Sequence, residues 1–83
     1  MANTMEELRP GQRGVVDRLR MPEGEARELL RLGLAPGTRV VCLRRCPLGG
    51  PAVYRLRGID LALRRRDAAR ISLLQERTDP EQG

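Results

Sequence analysis

The chain has no histidine, lysine, phenylalanine or tryptophan, and it carries a single tyrosine, Tyr54, and a single serine, Ser72. These gaps exclude much chemistry. General acid–base catalysis needs a positioned group that titrates near working pH, most often histidine. A phosphate-cradling P-loop needs a glycine-rich turn ahead of a helix and a lysine. Here Gly49-Gly50 falls between two expected strands, and Ser72 falls inside a third. The chain therefore reads as a non-enzyme without a cofactor. Readers of single-stranded nucleic acid need aromatic stacking platforms, and one tyrosine cannot supply them. No apolar run approaches the roughly 20 residues that cross a bilayer, so no membrane insertion is expected. Residues Met1–Pro10 include Glu6 and Glu7 and lack the apolar segment of a signal peptide, which makes the cytoplasm the expected compartment.

Cysteine is also scarce, with only Cys42 and Cys46. In an extended chain a four-residue spacing separates them by roughly 13 Å. A disulfide needs its Cα atoms within about 7 Å. The same gap keeps both thiols off one metal ion unless the chain bends sharply, so no metal site is expected. Two reduced cysteines are expected, Cys42 buried like a small apolar residue. A surface thiol at Cys46, or a metal shared between chains, is the alternative.

What is present is a basic, mixed-charge chain of 83 residues, 40% hydrophobic and 33% charged, with a net charge of +5. That is one domain's worth of sequence with a thin core. All 16 basic residues are arginine. A basic balance suits an acidic partner, an anionic lipid or nucleic acid. Acids are interspersed, however, at Asp17, Glu23, Glu25, Glu28, Asp60 and Asp67. The arginines at 44, 45, 55, 57, 64, 65 and 66 are therefore read as solvated outward faces, and no nucleic-acid partner is expected.

Residues 1–8 read as a lead-in and 77–83 as a frayed polar tail. Arg9-Pro10-Gly11-Gln12 is a turn. A strand is expected over Arg13–Leu19. After the Met21-Pro22-Glu23-Gly24 break, a helix is expected over 23–32, with Ala26, Leu29 and Leu30 as one stripe. Gly33 is placed at C′, which pairs Leu29 with Leu34 in a Schellman stop. Pro36-Gly37 turns the chain into a strand over Arg39–Arg45. Pro47-Leu48-Gly49-Gly50-Pro51 is a hairpin loop, followed by a strand over Ala52–Arg57. Gly58 marks a bulge or kink, and strands follow over Asp60–Arg64 and Ile71–Gln75, separated by a helical turn over Arg65–Arg70. The structural turn and cap glycines are thus Gly33, Gly37, Gly49, Gly50 and Gly58. The expected fold class is all-β with one short helix, a closed or nearly closed barrel of five strands with the helix across one opening.

The succession Leu32-Gly33-Leu34-Ala35-Pro36-Gly37, Val40-Val41, Cys46-Pro47-Leu48-Gly49-Gly50-Pro51, Tyr54-Arg55-Leu56-Arg57-Gly58 and Leu61-Ala62-Leu63-Arg64-Arg65 resembles the ferrous iron transport protein A family, FeoA. The resemblance covers about residues 8–75. It implies an SH3-like β-barrel in bacterial cytoplasm. It also implies an accessory role beside a membrane ferrous iron transporter with a cytosolic GTP-binding domain. Gly50 departs from the acidic residue that the family often carries there. Direct iron binding by one chain is not expected, because the histidines are absent and the cysteines too far apart. The other reading is a free-standing SH3-like regulatory domain, similar to the C-terminal domain of iron-dependent repressors.

SH3 recognition of proline-rich peptides uses a groove lined by several aromatics, so another surface must bind the partner. The partner-binding candidates are Leu48 at the hairpin tip, Leu32 and Arg31 at the helix end as a second patch, and Tyr54. Leu48 either meets a partner or folds back over the barrel mouth. Tyr54 is read first as a core or rim residue. A weak homo-oligomer through the Leu48 hairpin would fit the same patch.

Overall fold

A computed structural model describes residues 2–74. The expected tail, 77–83, lies outside the described residues. In chain order the elements are β1 (Arg13–Leu19), α1 (Glu23–Arg31), β2 (Arg39–Arg45), β3 (Ala52–Leu56), β4 (Ile59–Leu63), α2 (Arg65–Ala68) and β5 (Ile71–Leu73). A single 3₁₀ turn occupies Met5–Glu7, and Pro47–Gly49 is a tight turn in which Leu48 and Gly49 take positive φ.

All strand pairs are antiparallel, in the order β4-β3-β2-β1-β5. β1 serves two neighbours. Its first half, Arg13 to Val15, pairs with β2, and its second half, Val16 to Leu19, pairs with β5. The register shifts at Asp17, and a second shift at Leu43 interrupts the pairing of β2 with β3. Extra residues of this kind bend a strand and raise its twist. They curl the sheet around Val16, Val40, Cys42, Ala52, Tyr54, Leu56, Leu63, Ile71 and Leu73, which are all buried.

The strand ladder does not close, since β4 and β5 are edges that do not pair with each other among the described residues. The segment expected to be a lead-in lies across this opening instead. Thr4 bridges to Ser72, and the Leu73 amide donates to the Asn3 carbonyl at 2.8 Å. The Tyr54 hydroxyl donates to the Met5 carbonyl at 3.0 Å. The Arg45 guanidinium donates to the Leu8 carbonyl at 2.9 Å and also to that of Glu6. Met5 and Leu8 are both buried in the core. These partners lie far along the chain, so the local sequence carries no sign of the strap.

The helix stop forms as its sequence requires. The Leu34 amide donates to the Leu29 carbonyl and the Gly33 amide to that of Leu30, both at 3.0 Å, the two bonds of a Schellman motif. Gly33 has φ 104°, and a Cβ there would lie 3.3 Å from Leu56 Cδ1. Thr38, itself buried, donates its hydroxyl to the Gly33 carbonyl at 2.9 Å. Gly33→Ala should therefore destabilise by more than the ~1 kcal/mol of an ordinary helix-propensity change. Urea unfolding measures this, and an unchanged midpoint would contradict the left-handed stop. The expected stripe is narrower than its spacing suggests, because Leu29 packs on the core while Leu30 is exposed.

Gly37, Gly49 and Gly58 also take positive φ, whereas Gly50 is extended. Gly50 is required for space: a Cβ there would sit 2.9 Å from the Cys46 Cβ. Gly58 is not a bulge. With Arg57 (φ 50°) it forms a two-residue turn between the paired residues Leu56 and Ile59. Positive φ at both central positions is the I′ geometry that matches strand twist.

Candidate functional site

The β2–β3 connection is held closed at its base, where the Cys46 amide donates to the Pro51 carbonyl at 3.1 Å. At its tip Leu48 takes φ 65° and ψ 31°. A left-handed conformation costs a residue with a Cβ roughly 1–2 kcal/mol. The Leu48 side chain is fully exposed, so no packing within the chain offsets that cost. It does not fold back over the core. A strained backbone that presents an apolar side chain to solvent is a motif associated with binding sites.

The arginine beside this tip is Arg65, at the start of α2. A Cβ on Gly49 would lie 3.3 Å from its Nη1. Arg65 Nε donates to Glu6 Oε2 at 2.6 Å, so the N-terminal strap holds the side chain that supports the loop. Sequence reasoning missed both residues. The only signal, an acid in the lead-in and an arginine nearly sixty positions later, means nothing until the fold joins them.

The second expected patch lies elsewhere. Leu32 is 42% exposed, and Arg31 is exposed with Glu28 at 3.8 Å. Gly33 abuts Leu56 and Arg57, which places the helix end at the C-terminal end of β3. Leu48 precedes the opposite end of β3. The two patches are thus separate surfaces. Tyr54 belongs to neither: it is 1% exposed and its hydroxyl is committed to Met5. This corrects its place among the contact residues. Burial pushes its pKa up to about 12, and nearby Cys42 acts in the same direction.

Cys42 is buried, Cys46 is exposed, and both are free thiols. Burial pushes the Cys42 thiol above its ordinary pKa. Among the described residues no three His, Cys, Asp or Glu side chains converge as a metal site. A cleft lined by Met21, Glu25, Glu28, Leu29 and Asp67 collects carboxylates. Arg70 occupies that charge, donating to Glu25 at 2.7 Å and to Asp67 at 3.0 Å.

The FeoA domain pattern matches residues 3–73. The chain belongs to the FeoA family. A solution structure of the FeoA protein from Chlorobium tepidum is 33% identical and covers 84% of this chain and 67% of that one, with a TM-score of 0.79. The zinc-complexed FeoA of Stenotrophomonas maltophilia is 29% identical and covers 87% of this chain and 89% of that one, with a TM-score of 0.71. That protein is described as a prokaryotic SH3 domain protein and a candidate ferrous iron transport activating factor. The fold here is accordingly SH3-like, with an open strand ladder. A manganese-dependent transcriptional repressor, 20% identical, superposes with a TM-score of 0.80 over 90% of this chain and 37% of its own length. At that identity the likeness is one of fold. A search among curated proteins found no match. No helix among the described residues is long and apolar enough to cross a membrane.

Proposed function

We propose that this FeoA-family chain is a non-catalytic cytoplasmic accessory protein for ferrous iron uptake. It binds the cytosolic part of a GTP-dependent membrane iron transporter through the Leu48 tip. The observation that carries the reading is Leu48 itself, fully exposed and held at positive φ where the fold gains nothing from it. Burying one leucine against a partner is worth about 1.5–3 kcal/mol. Arg65 beside it, its Nε held by Glu6, keeps its Nη groups to orient a carboxylate on the partner. The helix end at Arg31 and Leu32 is a second, separate contact.

A free-standing regulatory domain is the competing reading, and the sheet shared with a repressor is what favours it. Capture from iron-starved cells with the tagged chain discriminates between them. Recovery of a large membrane transporter with a GTP-binding domain is the expected outcome. Recovery of a transcription factor or nucleic acid without the transporter would reverse the ranking.

A further inference from the structure

The outer face of the sheet carries charge of almost one sign, and the transporter reading leaves it unused. Strand alternation and burial define it. Val40, Cys42, Tyr54 and Leu63 point inward and are buried, so their neighbours Val41, Leu43, Val53 and Ala62 point outward. The ladder then sets the rows. Val15 lies opposite Arg39, Arg13 opposite Val41, Val41 opposite Arg55, and Arg55 opposite Asp60. Beyond the Leu43 bulge, Arg44 lies opposite Val53 and Val53 opposite Ala62. Arg64 continues the outward alternation past β4, with an extended backbone.

An apolar row of Val41, Leu43, Val53 and Ala62 is therefore surrounded by Arg13, Arg39, Arg44, Arg55 and Arg64. Asp60 is the only acid in β2, β3, β4 or the Arg13–Val15 half of β1. It is taken by Arg55, whose Nε donates to it at 2.7 Å. Arg13, Arg39, Arg44 and Arg64 have no carboxylate partner within ion-pair distance among the described residues.

We infer that this face docks on the surface of an anionic lipid bilayer. Guanidinium groups can bind headgroup phosphates bidentately. Their aliphatic stems, level with the valines, can meet the apolar boundary beneath. Single-stranded nucleic acid offers the same phosphates, but its binders also stack the bases on aromatic side chains, and the one aromatic side chain here is buried under the strap. The inference stands on the face alone, whether or not Leu48 contacts a transporter.

Flotation with vesicles tests it. The wild-type chain should bind vesicles containing phosphatidylglycerol, release at high salt and leave pure phosphatidylcholine vesicles unbound. Each arginine neutralised on this face should weaken binding about fivefold, so Arg39→Gln combined with Arg44→Gln should weaken it about 25-fold. Arg27→Gln, an exposed change on α1, should leave binding within about twofold, and far-ultraviolet circular dichroism should show both variants folded. Equal binding to both vesicle types, no binding to phosphatidylglycerol at low salt, or a double variant that binds like wild type would overturn the inference. So would displacement from the vesicles by an equimolar single-stranded RNA, which would assign the face to nucleic acid.

Discussion

Met5→Ala is expected to destabilise the fold by about 2–5 kcal/mol, the range for removing a buried methionine from a packed core. Met5 has no exposed surface, and its carbonyl accepts the Tyr54 hydroxyl in the middle of the barrel. A domain of this length has a total stability of only about 0.05–0.15 kcal/mol per residue. The loss is therefore a large share of the whole. The strap is also bonded to β5 through Asn3 and Thr4, and Met5 shares the core cluster with Leu8 and Leu73, so a cavity at Met5 opens in the core itself. Urea denaturation of Met5→Ala beside Arg9→Ala, an exposed change in the next turn, gives the comparison. A Met5→Ala midpoint that matches Arg9→Ala would mean that the strap is an appendage.

The alkaline limit of the fold should be set by Tyr54. It is the only tyrosine, so tyrosinate absorbance reports this one residue. Its folded pKa is raised to about 12, chiefly by burial. An unfolded tyrosine ionises near 10. The sign follows from proton counts. Between about pH 10 and 12 the unfolded chain has released the proton and the folded chain still holds it, so stability falls as pH rises across that window. Below about pH 10 both states are protonated and Tyr54 adds no slope. The full loss is roughly 3 kcal/mol. Tyr54→Phe should abolish this slope while costing about 1–3 kcal/mol at neutral pH, because the Met5 carbonyl loses its donor. A tyrosinate midpoint near 10 in the folded protein would contradict the buried hydrogen bond.

The parts of the fold that local chemistry determines could be read in the sequence, and the parts made by distant contacts could not. The α1 stop is the clearest case, since Gly33, Leu34 and Pro36 carry it within a few residues, and both its hydrogen bonds are present. The spans of β1 and β2 follow from their β-branched runs and turn residues in the same way. The strap was hidden because Met5 and Leu8 are two apolar residues in a polar stretch, and their significance depends on Tyr54 and Arg45. The turn at Arg57-Gly58 was misread because arginine is a rare choice for a left-handed position, where asparagine is the usual signal.

At the site, the position of Leu48 between Pro47 and Gly49 marked it as an apolar loop-tip residue, and its side chain is exposed there, although its backbone strain has no sequence signature. The approach of Arg65, held by Glu6, to the Gly49 side of the loop, and the separation of Leu48 from Arg31 and Leu32, are properties of the folded sheet alone. Tyr54 shows the limit of reading an aromatic by its scarcity: the only tyrosine serves the core through its hydroxyl.

The central claim is that Leu48 is kept for a partner and contributes nothing to folding, and Leu48→Gly tests it most directly. Glycine enters the left-handed region without strain, and the leucine side chain makes no burial that could be lost. Thermal unfolding and affinity for the cytosolic portion of the proposed transporter partner are to be measured on the same protein. The account predicts stability unchanged or raised by up to about 1 kcal/mol, together with an affinity loss of tenfold or more. Affinity equal to wild type, or a loss of stability above about 1 kcal/mol, would contradict it.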